Sequence, residues 1–226
     1  MNSNYQIIIL IIASDNTDYY INMQNVWKLY MNTHPHIKSF FIKENNNMHE
    51  NILVDDNTIN VKCEPSLVPG ILIKTIKSFE YIYNNYNFKY IYRTNLSSFL
   101  DLEKLYTFTI NNNFNYAAVI GYCNNNNFGS GAGFFTSKDS TKYLIDKKDI
   151  NYNKNYDDVV IGEILIPIYS IFPVGRIDFT DYDNKNISDN DIKKSEIFHY
   201  RCKNDGNMHH TVYNLQKMYE LLYKKV

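Results

Sequence analysis

Two adjacent carboxylates, Asp157 and Asp158, precede Val159-Val160-Ile161-Gly162, a run that reads as the start of an amphipathic helix. A carboxylate there can take a proton from an attacking hydroxyl, or it can simply complement the positive end of a helix dipole. A second polar concentration lies at Arg93-Thr94-Asn95-Leu96-Ser97-Ser98. It follows the aromatic and β-branched run Tyr90-Ile91-Tyr92, which predicts a short buried strand. Phe99, Leu102 and Leu105 then recur at helical spacing, with Ser97 or Ser98 as the expected N-cap. The unit is strand, polar tip, helix. It reads either as a capped turn with a solvated Arg or as a ligand site beyond the carboxyl end of a strand. Further on, Gly129, Ser130, Gly131, Ala132 and Gly133 place three of the chain's eight glycines within five residues. That density permits close approach of backbone to a ligand, and it equally suits a tight bend between strands. A last polar group, His199 to Lys203, ends a short apolar run.

The elements that must position these residues alternate along the chain. Gln6 to Ala13 is continuously apolar, as a strand covered on both faces would be. Asp18 to Met31 carries an apolar stripe at Tyr19, Met23, Val26, Trp27 and Tyr30. Ile37 to Ile42 reads as the second strand, followed by an irregular polar stretch from Glu44 to Asn60 with one short strand at Ile52 to Val54. Pro69 suits the first turn of a helix over Ile71 to Tyr83. After a helix from Ser98 to Ile110 come a strand at Tyr116 to Tyr122, a helix capped by Ser137, and the helix opened by Asp157-Asp158 and ended by Pro167. Strands are expected at 168–174 and 176–179, a loop at 181–191, a strand at 197–203, and a final helix from Met208 to Lys225. Asn45 to Asn47, Asn111 to Asn113 and Asn124 to Asn127 read as turns. Alternating strands and helices predict a single-domain α/β fold with a mostly parallel central sheet flanked by helices.

Composition narrows the function classes. With 226 residues the chain can bury a sizeable core. A formal charge of −1 argues against a module that binds nucleic acid through a basic surface. Cys63, Cys123 and Cys202 show neither metal spacing nor a disulfide framework, and reduced thiols imply a cytoplasmic setting. The apolar run Ile7 to Ile12 is far short of the roughly 18 residues needed for a membrane span, and no signal peptide is expected. Frequent Asn, Ile, Tyr and Lys fit an AT-rich genome. No Gly-rich dinucleotide fingerprint, Walker loop, zinc signature or nucleophile elbow is present.

Taken in order, Ser14-Asp15 after the first strand, the Arg93 to Ser98 tip, the Gly129 to Gly133 segment, Asp157-Asp158-Val159-Val160-Ile161-Gly162 and His199 to Lys203 resemble the motif series of GT-A glycosyltransferases. The likeness is nearest to the β-1,3-glycosyltransferase and Fringe-like branch, with its (E/D)-D-V-x-x-G pattern. The Arg-Thr-Asn-Leu-Ser-Ser tip is also similar to small viral and microbial glycosyltransferase-like proteins. The resemblance covers most of the chain. It implies an inverting transfer of a sugar from a nucleotide sugar, UDP-linked, to a carbohydrate acceptor. It makes Asp158, with Asp157 second, the general base. It places the donor on Ala13, Ser14, Asp15, Arg93, Thr94, Asn95, Ser97, Arg201 and Lys203, and the acceptor beside Gly131, Ala132 and Gly133. The departure is at the family's D-x-D carboxylates, where Thr94-Asn95-Leu96-Ser97 stands. Asn and Ser supply only neutral oxygens, whereas Mn²⁺ or Mg²⁺ wants anionic ones. Either Arg93, Arg201 and Lys203 meet the diphosphate charge directly, or His199 and Asn95 retain a metal; a buried structural His199 is the third possibility. Two other functions stay open: a catalytically silent GT-A-like protein that binds a nucleotide, glycan or partner, and a nucleotidyltransferase.

Overall fold

A computed structural model describes residues 4–123, 126–147, 149–179, 188–204 and 207–224. The first strand, β1 (Asn4–Ile12), is buried from Ile7 to Ile11, and its residues alternate between two cores. Ile7, Ile9 and Ile11 enter one, and Ile8 and Leu10 the other. That explains the unbroken apolar run: both faces are covered, so neither can be polar. Each such aliphatic side chain contributes about 1.5–3 kcal/mol when fully buried.

The first core is covered by α1 (Asp18–Lys28), α3 (Leu102–Asn111), α6 (Asp189–Lys194) and α7 (Met208–Leu222), through residues such as Trp27, Leu105, Ile192 and Leu215. The second is covered by α2 (Gly70–Asn85), α4 (Lys138–Asp146) and α5 (Asp157–Leu165), through Phe79, Leu144 and Ile161. The remaining strands are β2 (Ile37–Glu44), β3 (Ile52–Asp55), β4 (Thr58–Val61), β5 (Asn87–Asn95), β6 (Ser98–Leu100), β7 (Tyr116–Cys123), β8 (Asn126–Ser137), β9 (Ile171–Pro173), β10 (Ile177–Asp178) and β11 (His199–Arg201). Seven of them join β1 in one eight-stranded sheet, in the order β3-β4-β2-β1-β5-β8-β7-β9. Its core β4-β2-β1-β5 is parallel, β9 pairs parallel with β7, and β3 and β8 run antiparallel to their neighbours. A smaller sheet, β10-β11-β6, lies apart from it. The fold is a single α/β domain with a mostly parallel central sheet and seven helices among the described residues.

Three sequence expectations change. The polar tip is not a loop leading into a helix: β5 continues through Arg93 to Asn95, Ser98 lies in β6, and α3 starts at Leu102 with Asp101 as its side-chain cap on the Lys104 N–H. The irregular stretch before residue 60 hides β4, whose sequence Thr-Ile-Asn-Val alternates over only four residues. The glycine segment is not a bend between strands but part of the 12-residue β8. Between the pairs Ala118–Phe134 and Ile120–Gly129, β8 advances five residues while β7 advances two, so residues 130–133 bulge from that ladder. Bulges of this kind re-aim backbone beside functional sites. Ser137 caps α4 as expected, accepting from Ser140 N–H. Much of the loop expected at 181–191 and of the turn at Asn124 to Asn127 lies outside the described residues; where described, 189–191 begin α6 and Asn126 and Asn127 begin β8.

Candidate active site

The parallel strands β1 and β5 end level, with Ile12 beside Asn95, and their carboxyl ends open a crevice of the kind that binds ligands in α/β sheets. Ala13 is buried there. Its N–H donates to the Ile42 carbonyl at 3.0 Å, and its own carbonyl accepts from Lys74 Nζ at 3.1 Å. Lys74 is itself buried and ion-paired with Glu44 at the end of β2. Gln24 Nε2 of α1 donates to the Ser14 carbonyl at 2.9 Å and to Asp15 Oδ1 at 3.0 Å, which fixes the turn after β1. Asp15 is exposed and paired with Lys43 at 2.7 Å. Partial burial pushes its carboxyl up, but the hydrogen bonds from Lys43 and Gln24 and the Lys43 charge outweigh that, leaving it below its ordinary value.

On the facing side, Asn95 and Ser97 are half-buried. Between them Leu96 turns inward, its carbonyl accepting from Trp27 Nε1 at 3.0 Å. Trp27 is thus a core residue that also holds the tip. Thr94 is fully buried and donates through Oγ1 to the Ala132 carbonyl at 2.6 Å, where Ser98 Oγ also donates at 3.1 Å. The Cys202 N–H donates to the Ser97 carbonyl at 2.8 Å, so the segment carrying Arg201 and Lys203 lies against the same tip. Arg201 is half-buried and Lys203 exposed.

A second cluster sits behind this crevice. Arg93 is buried, at 2 % exposure, and donates through Nη2 to Asp157 Oδ2 at 2.5 Å. Its Nη1 donates to the Gly131 carbonyl, and its guanidinium lies 5.6 Å from the centre of the Phe134 ring. Only its Nε lacks a partner among the described residues. Arg93 therefore faces Asp157, not the crevice. Burial pushes the Asp157 carboxyl up; the Arg93 charge works against this and the neighbouring Asp158 with it, for a net rise. Asp158 is less buried than Asp157. Its Oδ2 accepts from Gly131 N–H at 2.7 Å and its Oδ1 from Val159 N–H at 3.0 Å. The two acids thus differ: Asp157 neutralises a buried cation, and Asp158 is half-buried with one hydrogen bond on each oxygen, leaving lone pairs for a further partner.

The glycines serve these contacts. A Cβ on Gly131 would stand 2.7 Å from Asp158 Oδ2, and one on Gly133 would collide with Tyr92 Oη and stand 2.9 Å from His199 Cε1. The room they leave is filled by the protein's own side chains, and Ala132 is buried between them.

His199 is fully buried, with Nδ1 3.0 Å from Tyr92 Oη and Nε2 3.0 Å from Ser98 Oγ. Because Ser98 donates to the Ala132 carbonyl, it accepts from Nε2–H, and Tyr92 donates to Nδ1. Burial, with the charges of Arg176 and Arg201, pushes the imidazole down to about 3, so it is neutral. A metal ion on His199 would have to displace Tyr92 or Ser98, and its expected companion, Asn95, offers a neutral amide. Among the described residues no three His, Cys, Asp or Glu side chains gather around a common point. The donor set does not fit a hard divalent cation.

Arg176 is the site residue that sequence reasoning missed. It clamps Asp178 through Nε at 2.6 Å and Nη2 at 3.0 Å and reaches Ser130 Oγ with Nη1 at 3.2 Å, bringing a cation to the glycine bulge. The Arg-x-Asp spacing was its only signal. Lys43, Lys74 and Gln24 carried none, since each acts on a residue distant in sequence.

No family model matches the sequence, and no curated protein does. The structure is similar to the crystal structure of a glycosyltransferase involved in glycosylation of the major capsid of PBCV-1. The TM-score is 0.58 at 8 % identity, over 93 % of this chain and 98 % of that one. It is also similar to the galactosyltransferase LgtC in complex with donor and acceptor sugar analogs, with TM-score 0.48 and 11 % identity over 95 % of each chain. A third is the inositol-1-phosphate CTP transferase from T. maritima, with TM-score 0.48 and 8 % identity over 99 % and 97 %. The resemblance read from the motifs therefore holds at the level of architecture: the chain has a GT-A-like glycosyltransferase fold.

Proposed function

We propose that this protein transfers a sugar from a nucleotide sugar, UDP-linked, to a hydroxyl of a carbohydrate acceptor with inversion. The observation that carries this reading is Asp158. It is a half-buried carboxylate held in place by two backbone N–H groups, while the adjacent Asp157 is committed to Arg93. In the reaction the acceptor oxygen attacks the anomeric carbon, and the bond from that carbon to the phosphate oxygen breaks. The nucleoside diphosphate leaves with the bonding electrons, and Asp158 takes the hydroxyl proton. Ser14 and Asp15 contact the nucleoside, Asn95 and Ser97 the donor, and Arg201 and Lys203 the diphosphate. Cations in this role stabilise the leaving charge without a metal ion. The D-D-V-x-x-G pattern favours the inverting, Fringe-like branch. Arg176 is an additional cation at the acceptor side, beside Ser130.

A thermal-shift screen against UDP, GDP, CMP and their sugar conjugates, each with EDTA and with Mn²⁺, tests the donor site. A ligand that binds only the native state raises the melting point by mass action. A rise with a UDP-sugar that survives EDTA is expected; a rise confined to Mn²⁺ would return His199 and Asn95 to metal binding. Asp158→Asn should abolish transfer while leaving that rise intact, and a variant that still turns over would remove Asp158 as the base.

One observation favours a second reading, a donor-binding protein without turnover: both Asp158 oxygens already hold hydrogen bonds, and a buried Arg93 stands two residues before Asn95 on the strand that ends at the tip. It predicts the same nucleotide shift with neither transfer nor donor hydrolysis at high protein concentration.

A further inference from the structure

Both segments that line the mouth of the crevice continue into helices, and these helices meet through Tyr19 and His209. After Ser14-Asp15 the chain enters α1, capped by Thr17 on Tyr20 N–H. After Arg201-Cys202-Lys203 it enters α7, anchored by Asn214 Nδ2 on the Cys202 carbonyl at 3.4 Å and by Thr211 Oγ1, which accepts from Asn204 N–H at 3.1 Å. Between the exposed ends of α1 and α7 runs a groove of about 640 Å³, lined by Asp18, Tyr19 and Asn22 on one wall and His209, Tyr213 and Gln216 on the other. Its volume falls within the roughly 300–1,000 Å³ of small-ligand sites.

The lining has a consistent chemistry. Tyr213 is 62 % exposed and presents an aromatic face on the same side of α7 as the exposed His209 and Gln216. Tyr19 is held in one orientation: its hydroxyl lies 2.8 Å from His209 Nε2, and the two rings meet edge-on with centroids 4.7 Å apart. Asn22 and Gln216 present planar amides, each both donor and acceptor. Among the described residues no Lys or Arg lines the groove, and Asp18 contributes a negative charge, so a phosphate-bearing or otherwise anionic ligand is disfavoured. Flat aromatic surface, an ordered Tyr–His pair and paired donor–acceptor amides suit a neutral ligand with apolar C–H faces and a rim of hydroxyls.

We propose that the groove between α1 and α7 is a binding site for a neutral oligosaccharide, separate from the acid cluster at Asp158. The sugar ring stacks on Tyr213, and Asn22, Gln216 and Asp18 take its hydroxyls. The site holds a glycan beside the crevice, where a carbohydrate acceptor would be tethered while another part of it is modified. The binding step itself does not depend on sugar transfer and is read without any donor.

The test is retention on an array of neutral and acidic oligosaccharides, followed by calorimetric titration with a retained neutral oligosaccharide. The wild type should bind at least one neutral glycan, and Tyr213→Ala and the double variant Asn22→Ala/Gln216→Ala should each lose at least tenfold in affinity. Both lie on exposed helix positions, so folding is checked by an unchanged melting point. The nucleotide-induced melting shift should be the same in Tyr213→Ala as in wild type. Binding of no neutral glycan would overturn the proposal, as would a Tyr213→Ala variant that binds like wild type. Loss of the nucleotide shift in Tyr213→Ala would also overturn it, by making the groove part of the donor site. Failure of the donor reading alone would remove the nucleotide shift from wild type and leave glycan retention in place.

Discussion

Neighbouring residues of β5, Tyr92 and Arg93, point to opposite faces of the sheet, and each builds a buried polar cluster against a glycine of β8. Arg93 meets Asp157 and the Gly131 carbonyl; Tyr92 meets His199 beside Gly133. The first cluster is satisfied by opposite charges, the second by a neutral imidazole with one donor and one acceptor nitrogen. A buried ion pair depends on both partners, because removing one leaves an uncompensated charge. A neutral network depends on a protonation state, because its geometry admits only one tautomer. The two sides of one strand should therefore fail differently.

The largest effect is expected from Arg93→Met, which strands Asp157 in the interior. It should cost about 3–5 kcal/mol in urea unfolding, with most of that recovered in Arg93→Met/Asp157→Leu. If the single variant is as stable as wild type, the pair does not hold the two helical and strand segments together. Next is Gly133→Ala on the neutral side, where the added methyl meets the Tyr92 hydroxyl. Overpacking of this kind costs about 1–3 kcal/mol. A Tyr92→Phe background should relieve part of it, and a double-mutant cycle showing no coupling would place the strain elsewhere.

Acid sharpens the contrast further. His199 has a folded pKa of about 3, below its unfolded value of about 6.5. Its stabilisation is complete above the unfolded value and is lost as pH falls from there toward the folded one, by at most about 1.4 kcal/mol per pH unit. Asp157 has the opposite sign. Its raised folded pKa means its contribution is complete below the unfolded value of about 3.9 and is lost as pH rises through the folded one. His199→Gln, which keeps a donor and an acceptor, should flatten the unfolding profile between pH 6.5 and 4.5, and an unchanged slope would assign it to another group. The smallest effect belongs to the exposed pair. Asp15→Asn breaks the Lys43 contact, yet should change stability by less than about 1 kcal/mol, while weakening any nucleotide-induced melting shift.

The same contrast explains what could be read from the sequence. The Ile7 to Ile11 run, the Ser137 cap and the Asp157-Asp158 helix start were legible, because each is decided by residues within a turn or two of one another. The Arg93 to Ser98 tip was misread as a loop because its residues are polar. Arg93, Thr94 and Ser98 in fact find their partners inside the protein, in a carboxylate 64 positions away and a carbonyl 38 and 34 positions away. Polarity in the sequence indicates that a partner is needed, not whether that partner is water. Likewise the glycine cluster was visible, but not the identity of what fills the space beside it. His199 stood out as a candidate ligand, and only the three-dimensional proximity of Tyr92 and Ser98 accounts for both its nitrogens.

The Tyr223 hydroxyl accepts from the Leu102 N–H at 2.8 Å and donates to the Leu100 carbonyl at 3.1 Å, and β11 pairs with β6 roughly a hundred residues upstream. During synthesis the large sheet can assemble as soon as β9 has emerged, but the small sheet and the tip it braces must wait for β11 and for Tyr223. A nascent chain on the ribosome therefore carries an unfinished crevice until almost all of these residues have been translated.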